Sequence, residues 1–279
     1  MYEQCSFENG FEYIDISNQA AQAKIALQGA HIFQYSVKGK KPLLWLSERS
    51  SFEDGVAIRG GIPLCWPRFG NLDTTLPQHG FARVMRFELI AVEEPTPQLT
   101  QVHLQLQSSA KSREIWDYAF VLDVVFTISE ELTISMTTQN TDSKEFLLTQ
   151  AFHTYFLVSD IQNVNISGLE KIPFLDTLDK KMDLEDSPIT IQSEVDRVYE
   201  GNIDEIVLDD KERKIMIVAE NSASVIVWNP WSKKCCQMSG MKDDAYKEFV
   251  CIESANAFDD HKIVPAGKKE IIRVHYKEV

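Results

Sequence analysis

The chain has 279 residues, 44% hydrophobic and 25% charged, with 42 Asp+Glu against 28 Lys+Arg and a formal net charge of -14. That is the make-up of an ordinary soluble globular protein. No apolar run approaches the roughly 20 residues of a membrane helix, and the acidity denies nucleic acid or an anionic membrane surface the extended basic footprint it needs. A small anion held in a pocket stays compatible.

The opening MYEQCSFENGFEYIDIS has neither a basic start nor an apolar signal core, so a cytoplasmic location is expected. Five cysteines, an odd number without a C-x-x-C pair, are expected to be reduced thiols. All-β units run to roughly 200–250 residues. No shift of composition, linker or repeat interrupts the chain, so residues 1–279 are expected to form one domain.

Taken from the N-terminus, β-like runs are expected at 11–17, 23–27, 31–37 and 42–46. A segment of different character follows, RGGIPLCWPRFGNLDTTLPQHGFARVMR at 59–86. From Val56 to Arg86 the residues Arg59, Arg68, Arg83 and Arg86 oppose the single acid Asp73, a local balance of +3 in an acidic chain. Its glycines permit positive φ or close backbone approach and its prolines interrupt pairing, which makes it a shaped loop. A cationic island points to an anionic ligand; the alternative is a set of weak surface ion pairs.

Alternation resumes in QVHLQLQ at 101–107, where Val102, Leu104 and Leu106 share one face. The runs 120–128 and 132–138 read as a hairpin, and further strands are expected at 146–157, 164–167, 215–218, 225–228, 249–253 and 271–276. Only 112–118 and 243–249 show helical spacing, each for a turn or two, and the polar stretch 176–202 reads as a long loop folding back over the sheet. Many short strands without intervening helices imply an all-β protein, a large antiparallel β-sandwich.

Two side chains in these strands carry chemistry. His153 stands among aromatics in LLTQAFHTYFLV, either as a hydrogen-bonded core residue or as a general acid tuned by its neighbours. Glu253 in FVCIESAN shares a face with Phe249 and Cys251; a carboxylate there is costly unless it is salt-bridged or used as a base. His79 sits in a turn between Pro77 and Gly80, and Asp196 in EVDRVY, taken alone, reads as a solvated loop acid. The WNPW sequence at 228–231 offers aromatic faces to a sugar or plugs the core. Phosphate-loop, dinucleotide and nucleophile-elbow motifs are absent, and the histidines lack metal-ligand spacing.

Together, RGGIPLCWPRFG, LPQHGFAR, AFHTYF, EVDRVY, VWNPW and FVCIESAN resemble, in that order, the landmarks of the aldose 1-epimerase superfamily, specifically its hexose-6-phosphate mutarotase branch. The resemblance spans nearly the whole chain. It implies a galactose mutarotase-like supersandwich with a sugar site on its concave sheet, and no cofactor or metal. His153 then corresponds to the catalytic acid and Glu253 to the base, with Arg59, Gln78, Arg83 and Asp196 binding substrate and His79 a further contact to the ring. Arg68 is left without an assigned role. The implied ligand is a small hexose phosphate, not nucleic acid or membrane, and no protein partner is indicated. Competing expectations are a mutarotase for unphosphorylated sugars and a non-catalytic sugar-binding or regulatory protein on the same fold.

Overall fold

A computed structural model describes residues 1–71 and 75–279, so Asp73 of the arginine-rich segment lies outside the described residues. Two large antiparallel sheets lie against one core. The back sheet runs, in spatial order, Ile189–Thr190, Asn165–Ser167, Ile206–Asp209, Lys214–Glu220, Lys269–Glu278, Glu131–Asn140, Phe120–Ile128, Leu99–Gln107 and Glu88–Thr96. The front sheet runs Lys181–Asp183, Phe174–Asp176, Val195–Glu200, Ser224–Asn229, Phe249–Asn256, Gln150–Phe152 and Leu64–Cys65, with Tyr155–Leu157 also paired to Phe249–Asn256. A four-stranded sheet from the N-terminal part, Tyr2–Ser6 to His31–Val37, adds Ile14, Ile16, Ile25 and Ile32 to the same core.

Alternation builds the back sheet. Phe120–Ile128 buries Phe120, Leu122, Val124, Phe126 and Ile128 and leaves the residues between them half-buried. It forms the expected hairpin with Glu131–Asn140, closed at Ile128 opposite Leu132. Front-sheet strands follow another rule: Ser224–Asn229 and Phe249–Asn256 are buried at every position. Val225, Val227, Val250 and Ile252 point into the main core, whereas Ile226, Trp228, Phe249 and Cys251 join a second cluster with Trp45 and Tyr155. This second face carries the candidate site.

Several expectations need correction. The stretch 176–202 is not a loop but holds Lys181–Asp183, Ile189–Thr190 and Val195–Glu200, so Asp196 is a strand residue of the front sheet. The run 42–46 makes only isolated bridges, Leu44 to Phe156 and Leu46 to Gly60. The run 146–157 is three short strands, interrupted at Thr149 and at His153 and Thr154. Helical expectations reduce to Ala110–Ile115, capped by the Ser109 side chain, and a single 3-10 turn at Ala245–Lys247. Among the described residues no helix is long and apolar enough to cross a membrane, and all of the cysteines are free.

Candidate active site

The interruption at His153 leaves the strand register intact. Phe152 pairs with Ser254 and Tyr155 with Cys251, so the common register sets His153 opposite Glu253. Their side chains meet, with His153 Nε2 3.4 Å from Glu253 Oε1. At the break the His153 amide turns outward and donates to the Pro63 carbonyl at 3.1 Å, and the Tyr155 amide donates to that of Gly61 at 3.0 Å. The glycine-rich segment therefore stands in for a neighbouring strand beside the histidine.

That packing explains the paired glycines after Arg59. Gly60 has a φ of 106°, and a Cβ there would lie 2.5 Å from the Trp45 carbonyl oxygen. The buried His31 side chain meets the Gly60 carbonyl at 2.8 Å from Nε2. Burial, against that hydrogen bond, holds the His31 imidazole down to about 4, so it is a neutral donor bracing the loop. At Gly80, with a φ of 71°, a Cβ would lie 2.0 Å from the Trp66 carbonyl oxygen, so the Gln78–Arg83 turn can approach only through glycine. Within that turn Arg83 Nη2 donates to the Gln78 carbonyl at 2.7 Å.

Asp196 reaches the site from the next strands over. It is registered with Trp228, and Ile226 with Glu253, so the carboxylates of Asp196 and Glu253 arise on the same sheet face. Lys234, from the short helix Trp231–Cys235, places its Nζ 2.9 Å from Glu194 and 3.9 Å from Asp196, over the Trp228 ring.

Burial dominates the electrostatics. It pushes Glu253 well above the usual carboxylate range, aided by the charge of Asp196, and Glu253 Oε2 has no hydrogen-bond partner among the described residues. It drives His153 well below its ordinary value, and His79, Arg83 and Arg59 add to the shift. Burial thus favours the uncharged form of each partner, imidazole and carboxylic acid. Burial first, then Arg83 and Arg59, takes His79 down to about 3. The neutral His79 ring has the Gly70 amide and the Cys65 thiol on Nδ1, each at 3.3 Å, which assigns its proton to Nε2. Asp196 is raised by burial and lowered again chiefly by Lys234.

All seven residues singled out in the sequence, Arg59, Gln78, His79, Arg83, His153, Asp196 and Glu253, line one cleft of about 270 Å³. The four-arginine island divides. Arg59 and Arg83 face the cleft, Arg68 lines an adjoining groove of about 820 Å³, and Arg86 pairs with Glu12 on the exposed surface. Groove and cleft share Phe69, Gln78, His79, Asp196 and Lys234. Sequence reasoning missed Lys234, Tyr155 and Phe69 as lining residues; the lysine pair after WNPW and the tyrosine two residues past His153 were the available signals.

Comparison with known proteins identifies the family. The family profile described as "Aldose 1-epimerase" matches residues 12–277. A protein of Escherichia coli (strain K12) named "Putative glucose-6-phosphate 1-epimerase" is 35% identical over 271 residues, 94% of this chain and 90% of its own length. One of the same name from Cenchrus ciliaris is 36% identical over 246 residues, 84% of this chain and 74% of its own. A crystal structure from Salmonella typhimurium, described as a "putative mutarotase (YeaD)", superposes with a TM-score of 0.93 at 32% identity, covering 100% of this chain and 93% of the other.

Proposed function

The chain belongs to the aldose 1-epimerase family and is an isomerase of the epimerase type, and from that premise we propose that it interconverts the α and β anomers of an aldohexose 6-phosphate, glucose 6-phosphate foremost. The observation that carries the reading is the 3.4 Å contact between His153 and Glu253 in a cleft that Arg59 and Arg83 also line. The names of the relatives support the choice of substrate.

The chemistry is acid/base throughout. Glu253, as carboxylate, takes the proton of the C1 hydroxyl while His153, as imidazolium, gives one to the ring oxygen. The C1–O5 bond opens to the aldehyde. Rotation about C1–C2 presents the other carbonyl face, and closure with the transfers reversed yields the other anomer. Imidazole with carboxylic acid holds the same number of protons as imidazolium with carboxylate, so the resting pair reaches its working state by one internal proton shift. Each positioned group supplies roughly 10²–10⁴-fold, and fixed orientation adds to it.

Arg59 and Arg83 hold the 6-phosphate by charge-assisted hydrogen bonds. Both arginines also depress His153. A bound phosphate dianion offsets their charge and favours the imidazolium that the reaction uses. Asp196, Gln78 and His79 contact the sugar hydroxyls and ring.

Anomer-exchange NMR on glucose 6-phosphate and on glucose tests the reading. The expected result is a markedly larger acceleration for the phosphorylated sugar. Equal acceleration of both overturns the phosphate assignment, and binding without acceleration makes the protein a non-catalytic sugar binder.

A further inference from the structure

Among the described residues, hydrogen bonding does little to orient the His153 ring: its buried Nδ1 has no hydrogen-bond partner, and Nε2 makes the Glu253 contact. Ring faces orient it. The Tyr155 ring lies parallel to the imidazole, with centroids 4.8 Å apart and planes within 9°. Trp228 meets His153 edge-on at 5.9 Å and Tyr155 at 6.2 Å.

Tyr155 is itself tightly fixed. Trp45 stacks on it at 5.8 Å, Phe249 packs at 5.2 Å, and the Trp45 indole is tethered to the Glu248 carboxylate at 3.0 Å. Its amide and carbonyl are bound to Gly61 and Trp45 at 3.0 and 2.9 Å. Tyr155 and Arg59 line the same cleft. The ring that stacks on His153 is thus itself clamped by packed aromatics.

We propose that Tyr155 is a positioning residue whose ring holds the His153 imidazole in its working orientation. This rests on the mutarotase reading above and goes beyond it. Two substitutions separate the ring from the hydroxyl. Tyr155→Phe keeps the ring and removes the hydroxyl; Tyr155→Leu removes both. With the ring stack kept, Tyr155→Phe retains far more of kcat on both sugars than Tyr155→Leu does. With the stack lost, kcat falls on both sugars by roughly 100-fold as the imidazole leaves its working orientation.

The experiment measures anomer exchange of both sugars by wild type, Tyr155→Phe and Tyr155→Leu, together with the ring nitrogen and proton resonances of His153 and the thermal transition of each variant. The proposal expects altered His153 resonances in the Leu variant and retained ones in the Phe variant. It is overturned if Tyr155→Phe lowers kcat as far as Tyr155→Leu does, or if Tyr155→Leu leaves kcat and the resonances unchanged. Should wild type accelerate neither sugar, the functional reading falls instead, and the resonances alone decide whether Tyr155 orients His153.

Discussion

His153 and Glu253 are cross-strand partners, distant in sequence and brought to a 3.4 Å contact by a register that holds on both sides of a break in the strand. In the proposed mechanism each end of this pair carries one proton path. His153→Ala and Glu253→Gln are each expected to lower the enzymatic anomer exchange by roughly 10²–10⁴-fold, and the double variant by much less than the product, because the two act as a unit. Saturation-transfer NMR on glucose 6-phosphate measures all three.

Glu253→Gln also carries a stability signature. A carboxyl whose native proton affinity is raised by burial contributes stability in full below its unfolded value, near 4.5, and loses it as pH rises toward its native value. The glutamine variant does not titrate. Its thermal transition is expected to gain on wild type as pH increases from 4.5 upward, and a constant difference across pH contradicts the buried, uncharged assignment.

Acid has the opposite effect through the buried histidines. His31 and His79 are held down to about 4 and about 3, so their stabilisation is complete above the ordinary imidazole value of 6.5 and is lost as pH falls below it. For His31 alone this amounts to about 3 kcal/mol between pH 6.5 and 4. His79→Asn, which tolerates the left-handed φ of 61° at this position, is expected to flatten the acid side of the melting-temperature profile.

Phosphate should move the pH dependence of the reaction. Arg59 and Arg83 oppose protonation of His153, and a bound phosphate relieves that opposition. The basic limb of the rate profile, where imidazolium is lost, is expected at higher pH for glucose 6-phosphate than for glucose. Coincident limbs for the two sugars refute the electrostatic link.

Two substitutions separate the site from its surroundings. Gly80→Ala drives a Cβ to 2.0 Å from the Trp66 carbonyl oxygen at a φ of 71°, and is expected to cost about 2–4 kcal/mol and displace Gln78 and Arg83. Arg86→Ala breaks an exposed pair with Glu12. It should change stability by less than about 1 kcal/mol and leave anomer exchange unaltered. Urea unfolding and the NMR assay report both.

The back sheet was legible from sequence because its strands separate an apolar face from a polar one, as 120–128 shows to the residue. Val195–Glu200 was not, since Asp196 stands on the cleft side of a strand whose other face is core. A functional surface puts polar groups where alternation expects apolar ones, and the strand then reads as a loop. The same mixture hid Lys234, which belongs to a short helix beyond a turn. The side chains of AFHTYF and FVCIESAN were recognisable by resemblance, but their opposition across one register is a property of pairing that no local pattern contains.

The cleft divides by architecture. His153, Asp196 and Glu253 stand on or beside paired front-sheet strands, whereas Arg59, Gln78, His79 and Arg83 belong to the connecting segments around them. Loops of this kind accept insertion and replacement far more readily than a strand buried on both faces, such as Phe249–Asn256. Under the proposed function, a change of sugar preference is therefore expected to come by rewriting the rim, with the sheet-borne His153 and Glu253 kept in place.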